Sequence, residues 1–558
     1  MKLVKLDILL CILISIISLF FVLELFMFPG RPATFDAVVH ISVIAQFSEI
    51  IKAGEFPVIW MNNFANYGIP VGRFTHQTTN YLGGLITLFI HDPVLVFNLL
   101  TFAEVFLTNI LLYLFLRLYF SPLASFLGIF IFCFTPYRIL NVYTRGALPD
   151  VFAGIFLPLI LVVLYLLIVK KKLYAFFLLT LFIVGLTLTH PMMLVVFSSL
   201  FVPYLIYLLI VSNLSIKSRI KIFVASTFFM LLGLLICSYY AVPLNLEIKY
   251  FYFGLEDSHQ MANSYLTFMN FFSTKWYYFT NTEVFTRGHI ILFGLIETVT
   301  LILGFVYFLY KKIVKKNKEN MQILTFCLIV AALMIYFTTQ YADIFFQKLF
   351  FLNNIQFPWR FLSVLIFIPA IVAAFLYDRF PKRIIFVVVI MVVAYFSFPQ
   401  IYGKNYTMYP IQSYFITKEN VHSVEMNTIW TGKSEDYPDK DKQGEIIEGT
   451  GKIVNQTLRN SSRNYQVAAT TPLRMVDRTF YFPGWNVYID NVKTNIEFQD
   501  PNYRGVITYR VPAGFHAVKV VFENTKVRSI ANGMSILFLF ITIALFVRRK
   551  CIGKYIFG

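Results

Sequence analysis

The chain has 558 residues, of which 58% are hydrophobic and only 14% are charged, and its mean hydropathy is +0.70. A water-soluble globular protein has about 45–50% apolar and about 25% charged residues, so that class is excluded. The net charge of +18 would indicate nucleic-acid binding in a soluble protein, but basic cytoplasmic loops explain it in a membrane protein. The composition therefore predicts a polytopic membrane protein without a nucleic-acid partner.

Long apolar runs follow one another along the chain and predict about twelve transmembrane helices. The first run has no small-residue cleavage site, so we expect a retained helix rather than a cleaved signal peptide. The runs cover residues 6–28, 94–116, 121–136, 150–169, 173–189, 191–211, 221–243, 290–310, 322–339, 359–377, 384–400 and 532–548.

Basic residues cluster on one side of these predicted helices. Numbering the helices in order places every cluster on the side of the N-terminus, which the positive-inside rule assigns to the cytoplasm. The clusters lie at residues 170–172, 217–221, 311–318, 379–383 and 548–550. We therefore expect a multi-pass plasma-membrane protein with both termini in the cytoplasm. The segments expected outside are 29–93, 137–149, 244–289, 340–358 and 401–530.

Residues 401–530 differ from the rest, because charged and turn-forming residues replace the apolar runs. Short alternating segments at 479–482, 486–489, 505–511 and 516–522 are separated by turn signals such as Pro483-Gly484 and Asp490-Asn491, which predicts a β-sandwich. The expected domains are a transmembrane domain at 1–400 with catalytic outer loops, an extracytoplasmic β-sandwich at 401–530, and a final helix with a basic tail at 531–558.

The first outer segment carries an acidic side chain and an imidazole at helical spacing. Residues 38–51 predict a helix, and Asp36 and His40 lie four positions apart on one face of it. Desolvation at the lipid boundary would raise the pKa of such a carboxyl group, which could then act as a general base. The alternative is that Asp36 only caps the helix. Asp36 and His40 are candidate catalytic residues.

A second candidate pair precedes the fourth apolar run. The planar guanidinium of Arg145 could bind a phosphate through two hydrogen bonds, and Asp150 starts the following predicted helix near its positive end. The alternative is an interfacial arginine followed by an ordinary acidic residue in a first helical turn. Arg145 is a candidate substrate-binding residue and Asp150 a candidate catalytic residue.

Two further segments contribute candidate substrate-binding residues. His190 precedes Pro191 at an outer junction of two predicted helices, where a histidine often only packs through hydrogen bonds. Trp359 and Arg360 follow Pro358 at a predicted helix start. There the tryptophan would anchor at the membrane interface, and the arginine would either snorkel or meet a lipid phosphate.

The remaining sequence offers few other sites for chemistry. It contains no nucleotide-binding loop, HExxH signature or nucleophile elbow, and its five cysteines show no metal-binding spacing. Glu104 lies within the second apolar run, where an unpaired carboxylate is costly. That position makes Glu104 the residue of greatest interest if the protein is a transporter.

The order of the polar segments along the chain is distinctive. They are Asp36 with His40, Gly54-Glu55-Phe56-Pro57 with Trp60, Tyr67-Gly68-Ile69-Pro70, Arg145-Gly146-Ala147 with Asp150, Thr189-His190-Pro191, Gln356-Phe357-Pro358-Trp359-Arg360, Tyr481-Phe482-Pro483-Gly484-Trp485 with Asp490, and Pro512-Ala513-Gly514-Phe515-His516. In this order the segments resemble those of bacterial 6-pyruvoyl-tetrahydropterin-synthase-related and YfhO-like membrane proteins of the GT-C glycosyltransferase superfamily. The resemblance implies a GT-C-like helical membrane domain with an outer β-domain.

The same resemblance implies sugar transfer outside the membrane from a polyprenyl-phosphate-linked donor. Asp36 would take the proton of an acceptor hydroxyl, which attacks the anomeric carbon with inversion. Arg145 and Arg360 would stabilise the departing phosphate. The groups that would orient the substrates, or hold a divalent ion, are His40, His190 and Asp150. The single Asp36 favours a route without a metal or other cofactor.

The expected partners are this donor, a glycan, lipid or protein acceptor, and membrane lipid. Two other classes stay open, namely a lipid or solute transporter and a non-catalytic surface or assembly protein. Transport predicts polar residues in mid-membrane and paired broken helices. Convergence of Asp36, Arg145, Asp150 and Arg360 on one outward cavity would instead favour an enzyme.

Overall fold

The structure is a computed structural model that describes residues 5–63, 66–251, 264–274, 291–314, 321–349, 352, 355–403, 406–415, 428–432, 437–438, 440–549 and 553. Part of one basic cluster, at residues 315–318, and most of the basic tail lie outside the described residues.

The helices of the first half of the chain begin at clear local signals. Asp92 caps the helix that starts at Pro93, and Ser121 caps the helix that starts at Pro122. A capping oxygen followed by proline is a typical start, because proline needs no N–H partner in the first turn. The helices are α1 (Lys5–Val22), α2 (Glu24–Met27), α3 (Ala37–Lys52), α4 (Val71–Phe74), α5 (Gln77–Ile90), α6 (Pro93–Leu116), α7 (Pro122–Cys133), α8 (Pro136–Leu140), α9 (Leu148–Ala153), α10 (Phe156–Ile168), α11 (Tyr174–Thr189), α12 (Pro191–Val211), α13 (Ile216–Ile236) and α14 (Ser238–Glu247).

The second half continues the bundle and closes it with a helix after the β-strands. Its helices are α15 (Phe268–Phe272), α16 (Leu295–Leu309), α17 (Gln322–Thr338), α18 (Asp343–Lys348), α19 (Leu362–Leu365), α20 (Phe367–Arg379), α21 (Arg383–Ser397) and α22 (Lys526–Val547). A 3₁₀ turn at Pro358–Phe361 leads into α19 and α20.

All twelve predicted apolar runs contain a helix in the part of the chain that the structure describes. Eight helical segments are long and apolar enough to cross a membrane, and the number is ten if two bent pairs each count as one span. The other two runs form the shorter helices α11 and α16. The prediction of a polytopic helical membrane protein is confirmed.

The segment 137–149, expected as an outer loop, is largely helical instead. It contains most of α8, a π-helical turn at Asn141–Arg145 and the start of α9. The helices α7 and α8 are bent by 45° at the break between them. A π-helical turn brings one extra residue into a helix and often marks a functional site.

Two β-sheets follow the eleventh apolar run. Their strand orders are β4-β5-β10-β7-β8 and β3-β6-β9, with all pairs antiparallel. Inward side chains such as Val467 and Val487 of the larger sheet share one core with Met475 and Ile507 of the smaller sheet, which makes the sheets a β-sandwich. The strands are β3 (Gly444–Glu448), β4 (Gly451–Leu458), β5 (Ser462–Ala469), β6 (Leu473–Phe480), β7 (Trp485–Ile489), β8 (Val492–Thr494), β9 (Val506–Val511) and β10 (Gly514–Phe522). The domain limits at 401 and 530 stay a prediction.

The sandwich packs on residues 29–93, the segment predicted to lie outside. The Glu55 carboxylate accepts the backbone N–H of Asn460 at 2.8 Å and the Ser461 hydroxyl at 2.7 Å, and the rings of Trp60 and Trp485 lie 5.0 Å apart. Nearer the membrane helices, a short ladder pairs β1 (Arg31–Pro32) with β2 (Tyr406–Thr407). The segment that carries the predicted catalytic carboxylate is therefore fixed from two sides.

Candidate active site

The backbone around residue 36 lies directly against the π-helical turn. The Phe35 N–H donates to the Thr144 carbonyl at 3.2 Å, and the Asp36 N–H donates to the Arg145 carbonyl at 2.8 Å. Gly146 follows with φ +66°, and a Cβ at this glycine would lie 2.7 Å from the Ala37 Cβ. Only glycine accepts both this conformation and this close approach.

Arg145 connects the two predicted acidic residues. Its Nη1 donates to Asn141 Oδ1 at 2.6 Å and to Asp150 Oδ2 at 2.8 Å, and its Nη2 lies 3.5 Å from Asp36 Oδ2. The guanidinium also faces the Trp359 ring at 4.8 Å. Among the described residues its buried Nε has no hydrogen-bond partner.

Asp150 contacts cationic and imidazole groups from three separate parts of the chain. Besides Arg145, its carboxylate meets His190 Nε2 at 2.5 Å and Arg360 Nε at 4.0 Å. It lies in the first turn of α9, where the helix dipole favours negative charge. The cluster of Asp36, Asn141, Arg145, Asp150, His190 and Arg360 is called the outer cluster below, after the side of the membrane on which the sequence predicts it.

Asp36 is the acidic group of the outer cluster that a solute can reach. Its side chain is 40% exposed, whereas those of Arg145 and Asp150 are 6% and 8% exposed. Loss of hydration among the surrounding protein atoms raises the pKa of the Asp36 carboxyl; Arg145 opposes this shift and Asp150 adds to it. Such a pKa favours proton uptake by the carboxylate.

The structure gives no support to the reading of Asp36 as a mere helix cap. Asp36 occupies the N-cap position of α3, yet its side chain accepts no capping hydrogen bond. In the same outer segment, the carboxylate of Asp92 caps α6 by accepting the N–H groups of Val94 and Leu95 at 2.9 and 3.0 Å. The two aspartates therefore hold similar helix positions but have different contacts.

Three histidine rings extend from the cluster along one side. The rings of His40 and His76 lie 6.0 Å apart, and those of His76 and His190 lie 4.6 Å apart. Burial lowers the pKa of His40 to about 4, assisted by Arg145, so this ring is neutral at physiological pH. His76 was not among the predicted site residues. The signal that could have found it is a further histidine in the segment that carries Asp36.

Trp359 and Arg360 are buried rather than placed at a lipid interface. They are 3% and 5% exposed. Arg360 donates to Gln356 Oε1 at 3.3 Å and to Met192 Sδ at 3.1 Å, and its Nε has no hydrogen-bond partner among the described residues. The arginine thus turns towards Asp150 and does not snorkel to the surface.

All seven predicted site residues lie in or beside the outer cluster, with His40 linked to it through His76. Asn141, which orients Arg145 from four positions earlier, was missed. Within the described residues no three His, Cys, Asp or Glu side chains are placed to share a metal ion. Metal-independent chemistry stays a prediction.

The cluster lies at the end of the bundle opposite the basic clusters. The span Leu148–Ile168 carries Asp150 at its start and precedes the basic residues 170–172. The span Pro358–Arg379 carries Arg360 at its start and the basic residues 379–383 at its end. His190 joins α11 and α12, whose other ends adjoin residues 170–172 and 217–221.

Comparison with known proteins places the chain in a family. Residues 79–403, more than half of the chain, match the profile of the 6-pyruvoyl-tetrahydropterin synthase related domain, described as a membrane protein. The matched range includes Arg145, Asp150, His190 and Arg360 and leaves Asp36 outside it. No curated protein matches the sequence.

Among solved structures, the apo crystal structure of the Archaeoglobus fulgidus oligosaccharyltransferase is similar to this chain with a TM-score of 0.39 and 15% identity. The match covers 71% of this chain and 55% of the archaeal chain. The family profile decides the assignment: the chain belongs to the 6-pyruvoyl-tetrahydropterin-synthase-related membrane proteins.

Proposed function

We propose that the protein is a membrane glycosyltransferase that moves a sugar from a polyprenyl-phosphate-linked donor to an extracytoplasmic glycan, lipid or protein of the cell envelope. The observation that carries this proposal is the outer cluster. It joins an accessible carboxylate, Asp36, to two buried guanidinium groups, Arg145 and Arg360, which come from separate parts of the chain. Both termini are cytoplasmic in this proposal, so the cluster faces outward.

The proposed reaction is a single displacement with inversion. The Asp36 carboxylate takes the proton of the acceptor hydroxyl while the hydroxyl oxygen forms a bond to the anomeric carbon. The bond from that carbon to the phosphate oxygen breaks, and its electron pair leaves with the polyprenyl phosphate. The positive charges of Arg145 and Arg360 stabilise this departing anion.

The hydrogen-bond state of the arginines supports this use. Arg145 and Arg360 each have a buried Nε without a partner among the described residues. A buried donor left unsatisfied costs about 1–3 kcal/mol, and among the arginines with such a nitrogen these two lie in the cluster that contains the accessible Asp36 carboxylate. Oxygens of a bound phosphate would accept from such groups.

The decisive experiment compares the two aspartates of the first outer segment. In proteoliposomes, we expect Asp36→Asn to lower transfer of radiolabelled hexose from polyprenyl phosphate to envelope acceptors by roughly 10²–10⁴-fold, as loss of a general base does. Asp92→Asn is the matched control and should transfer normally, because asparagine also caps helices. Equal activity of Asp36→Asn and the parent would exclude Asp36 as the base.

A transporter is the second candidate, and specific observations favour it. Two helix pairs are broken, by 45° and 85°, and Glu104 and Arg138 pair in the interior of the bundle at 3.1 Å. A cavity of about 610 Å³, lined partly by Tyr207, Gln322 and Asp378, lies towards the opposite end of the bundle from the outer cluster. The Glu104 carboxylate is, however, already held by Arg138 and Thr108, which leaves it poorly suited to carry a coupled proton.

A further inference from the structure

The position of His76 is set by its own segment. His76 precedes α5, and its carbonyl accepts the Asn80 N–H at 3.2 Å. The next residue, Gln77, donates from its side chain to the carbonyls of Gly72 and Thr75 at 2.8 Å each. The imidazole is therefore presented by a fixed turn and stays partly accessible.

One hydrogen bond determines which nitrogen of His76 carries the proton. Its Nδ1 lies 3.0 Å from the Thr189 carbonyl oxygen. A carbonyl only accepts, so Nδ1 must be the donor, and Nε2 of the neutral ring keeps a free lone pair. Thr189 ends α11 just before Pro191, and the last carbonyls of a helix need partners from outside it.

His190, whose ring lies 4.6 Å from that of His76, also has one nitrogen fixed by an acceptor. Its Nε2 meets Asp150 at 2.5 Å, and the same carboxylate accepts from Arg145 at 2.8 Å. The carboxylate is thus the acceptor and Nε2 the donor. The remaining nitrogen, Nδ1, is buried and has no partner among the described residues.

The free lone pair on Nε2 of His76 requires a ligand that donates a hydrogen bond. A cationic donor is disfavoured, because Arg145 and Arg360 lie within the same cluster. A neutral hydroxyl meets both conditions. We propose that His76, with His190 behind it, binds a sugar hydroxyl of the substrate through the Nε2 of His76, next to the group that reacts at Asp36. This inference rests on the proposed function and adds a specificity residue to it.

The protonation state can be tested without any substrate. Burial lowers the pKa of His76 well below its usual value, and the neighbouring His190 and His40 lower it further. The charged or titratable groups of the surrounding elements are Asp36 and His40 of the α3 segment, Arg145, Asp150, His190 and Arg360. Diethyl pyrocarbonate acylates only an unprotonated imidazole nitrogen, so mass spectrometry after labelling at about pH 5.5 reports which rings are neutral.

At that pH we expect His76 to be labelled and His516 to be spared. His516 is the reference, because its hydrogen bond to Asp490 raises its pKa and keeps the ring charged. Loss of His76 labelling between about pH 7 and 5.5, in parallel with His516, would show a protonated ring and overturn the neutral acceptor at Nε2 on which the inference depends. This result would leave the proposed glycosyltransferase function untouched.

Ligand protection then tests the hydroxyl. Three donors are added separately, namely polyprenyl-phosphate-linked glucose, galactose and mannose. One of them should protect His76 from labelling, whereas bare polyprenyl phosphate should not protect it. Equal protection by bare polyprenyl phosphate, or none by any of the three sugars, overturns the hydroxyl inference. Absence of sugar transfer by the parent protein with every donor would instead count against the proposed function.

Two substitutions separate hydrogen bonding from proton transfer. Glutamine places an acceptor oxygen near the position of Nε2 but cannot take up a proton, so His76→Gln should keep KM for the protecting sugar donor within about twofold. His76→Phe should raise KM about tenfold with a smaller change in kcat, as expected for loss of one neutral hydrogen bond. A similar large loss of kcat in both variants would contradict the binding role.

Discussion

The outer cluster and the interior pair of Glu104 and Arg138 both join arginine to a carboxylate, but they differ in whether every buried nitrogen has a hydrogen-bond partner. In the interior, Arg138 Nη2 lies 3.1 and 3.2 Å from the two carboxylate oxygens of Glu104, while its Nη1 donates to Asn109 at 2.8 Å. No nitrogen of Arg138 is among the unpartnered buried atoms of the described residues. In the outer cluster, Arg145, Arg360 and His190 each leave a nitrogen without a partner there.

This difference separates an ion pair that holds helices together from one that can bind a ligand. The side chains of Glu104 and Arg138 are 3% and 6% exposed, and a membrane interior makes any unsatisfied charge expensive. Asp36 is 40% exposed and meets Arg145 only at 3.5 Å. The interior pair is complete by itself, whereas the outer cluster has hydrogen-bonding capacity left for a substrate.

The outer cluster can meet an extracytoplasmic substrate only if it faces outward, and an all-or-none labelling test decides this orientation. In a variant without native cysteines, we expect a membrane-impermeant maleimide to label Lys519→Cys of the sandwich on intact cells. Lys312→Cys, in the basic segment after α16, should react only after permeabilisation, as the positive-inside rule requires. Labelling of Lys312→Cys on intact cells would reverse the orientation.

The next largest effect is expected at Arg145. A lysine keeps the charge but has one nitrogen in place of the fork that reaches Asn141, Asp150 and Asp36. Hydrogen bonds to charged groups contribute about 1.5–3 kcal/mol each, so Arg145→Lys should lower transfer by roughly 10–100-fold. The control is Arg117→Lys, whose parent arginine pairs with Asp7 at 2.7 Å elsewhere in the bundle; it should transfer within about twofold of the parent.

The dependence of transfer on pH gives a smaller and graded effect. A general base must be ionised, and the raised pKa of Asp36 moves its protonation above the ordinary aspartate range near about 4. Transfer should therefore be complete above this raised pKa and fall about tenfold for each pH unit below it. His40, with a pKa of about 4, stays neutral over most of that range. A flat profile of kcat/KM between about pH 4 and 8 would contradict the role of Asp36.

Much of the fold could be predicted because a membrane imposes long apolar runs, and every predicted run contains a helix. The strands of the β-sandwich were harder to predict from the sequence. The strands β7, β9 and β10 lie close to their predicted limits. The segment predicted at 479–482 shares only its first two residues with the longer strand β6, and β3, β4, β5 and β8 were missed. The edge strand β4 is exposed along nearly its whole length, so its sequence shows no alternation that would reveal a buried face.

Most residues of the candidate site were predictable from the sequence, although Asn141 and His76 were missed, but the contacts among them were not. Asp36, Arg145 and Asp150 were recognisable because charged groups at helix ends are costly to keep near lipid. Their meeting point depends on the π-helical turn at Asn141–Arg145 and on the left-handed Gly146, and neither has a reliable local signal. The hydrogen bond from His76 to the Thr189 carbonyl joins positions 113 residues apart, which no local pattern indicates.

The smallest effect on sugar transfer is expected where the interior pair is broken. Glu104→Gln removes the negative charge opposite Arg138 but keeps an acceptor oxygen for Thr108. Loss of one partner of a buried pair typically costs about 3–5 kcal/mol, and the retained amide should reduce this cost. Thermal unfolding in detergent should therefore shift to a lower temperature, while transfer per folded molecule stays within about twofold of the parent.

A transporter predicts the reverse, because a mid-membrane carboxylate would then carry the coupling. The deciding assay follows radiolabelled sugar transfer and solute uptake in the same vesicles. If the parent shows uptake without transfer and Glu104→Gln abolishes that uptake, the interior pair is the functional one and the glycosyltransferase proposal is wrong.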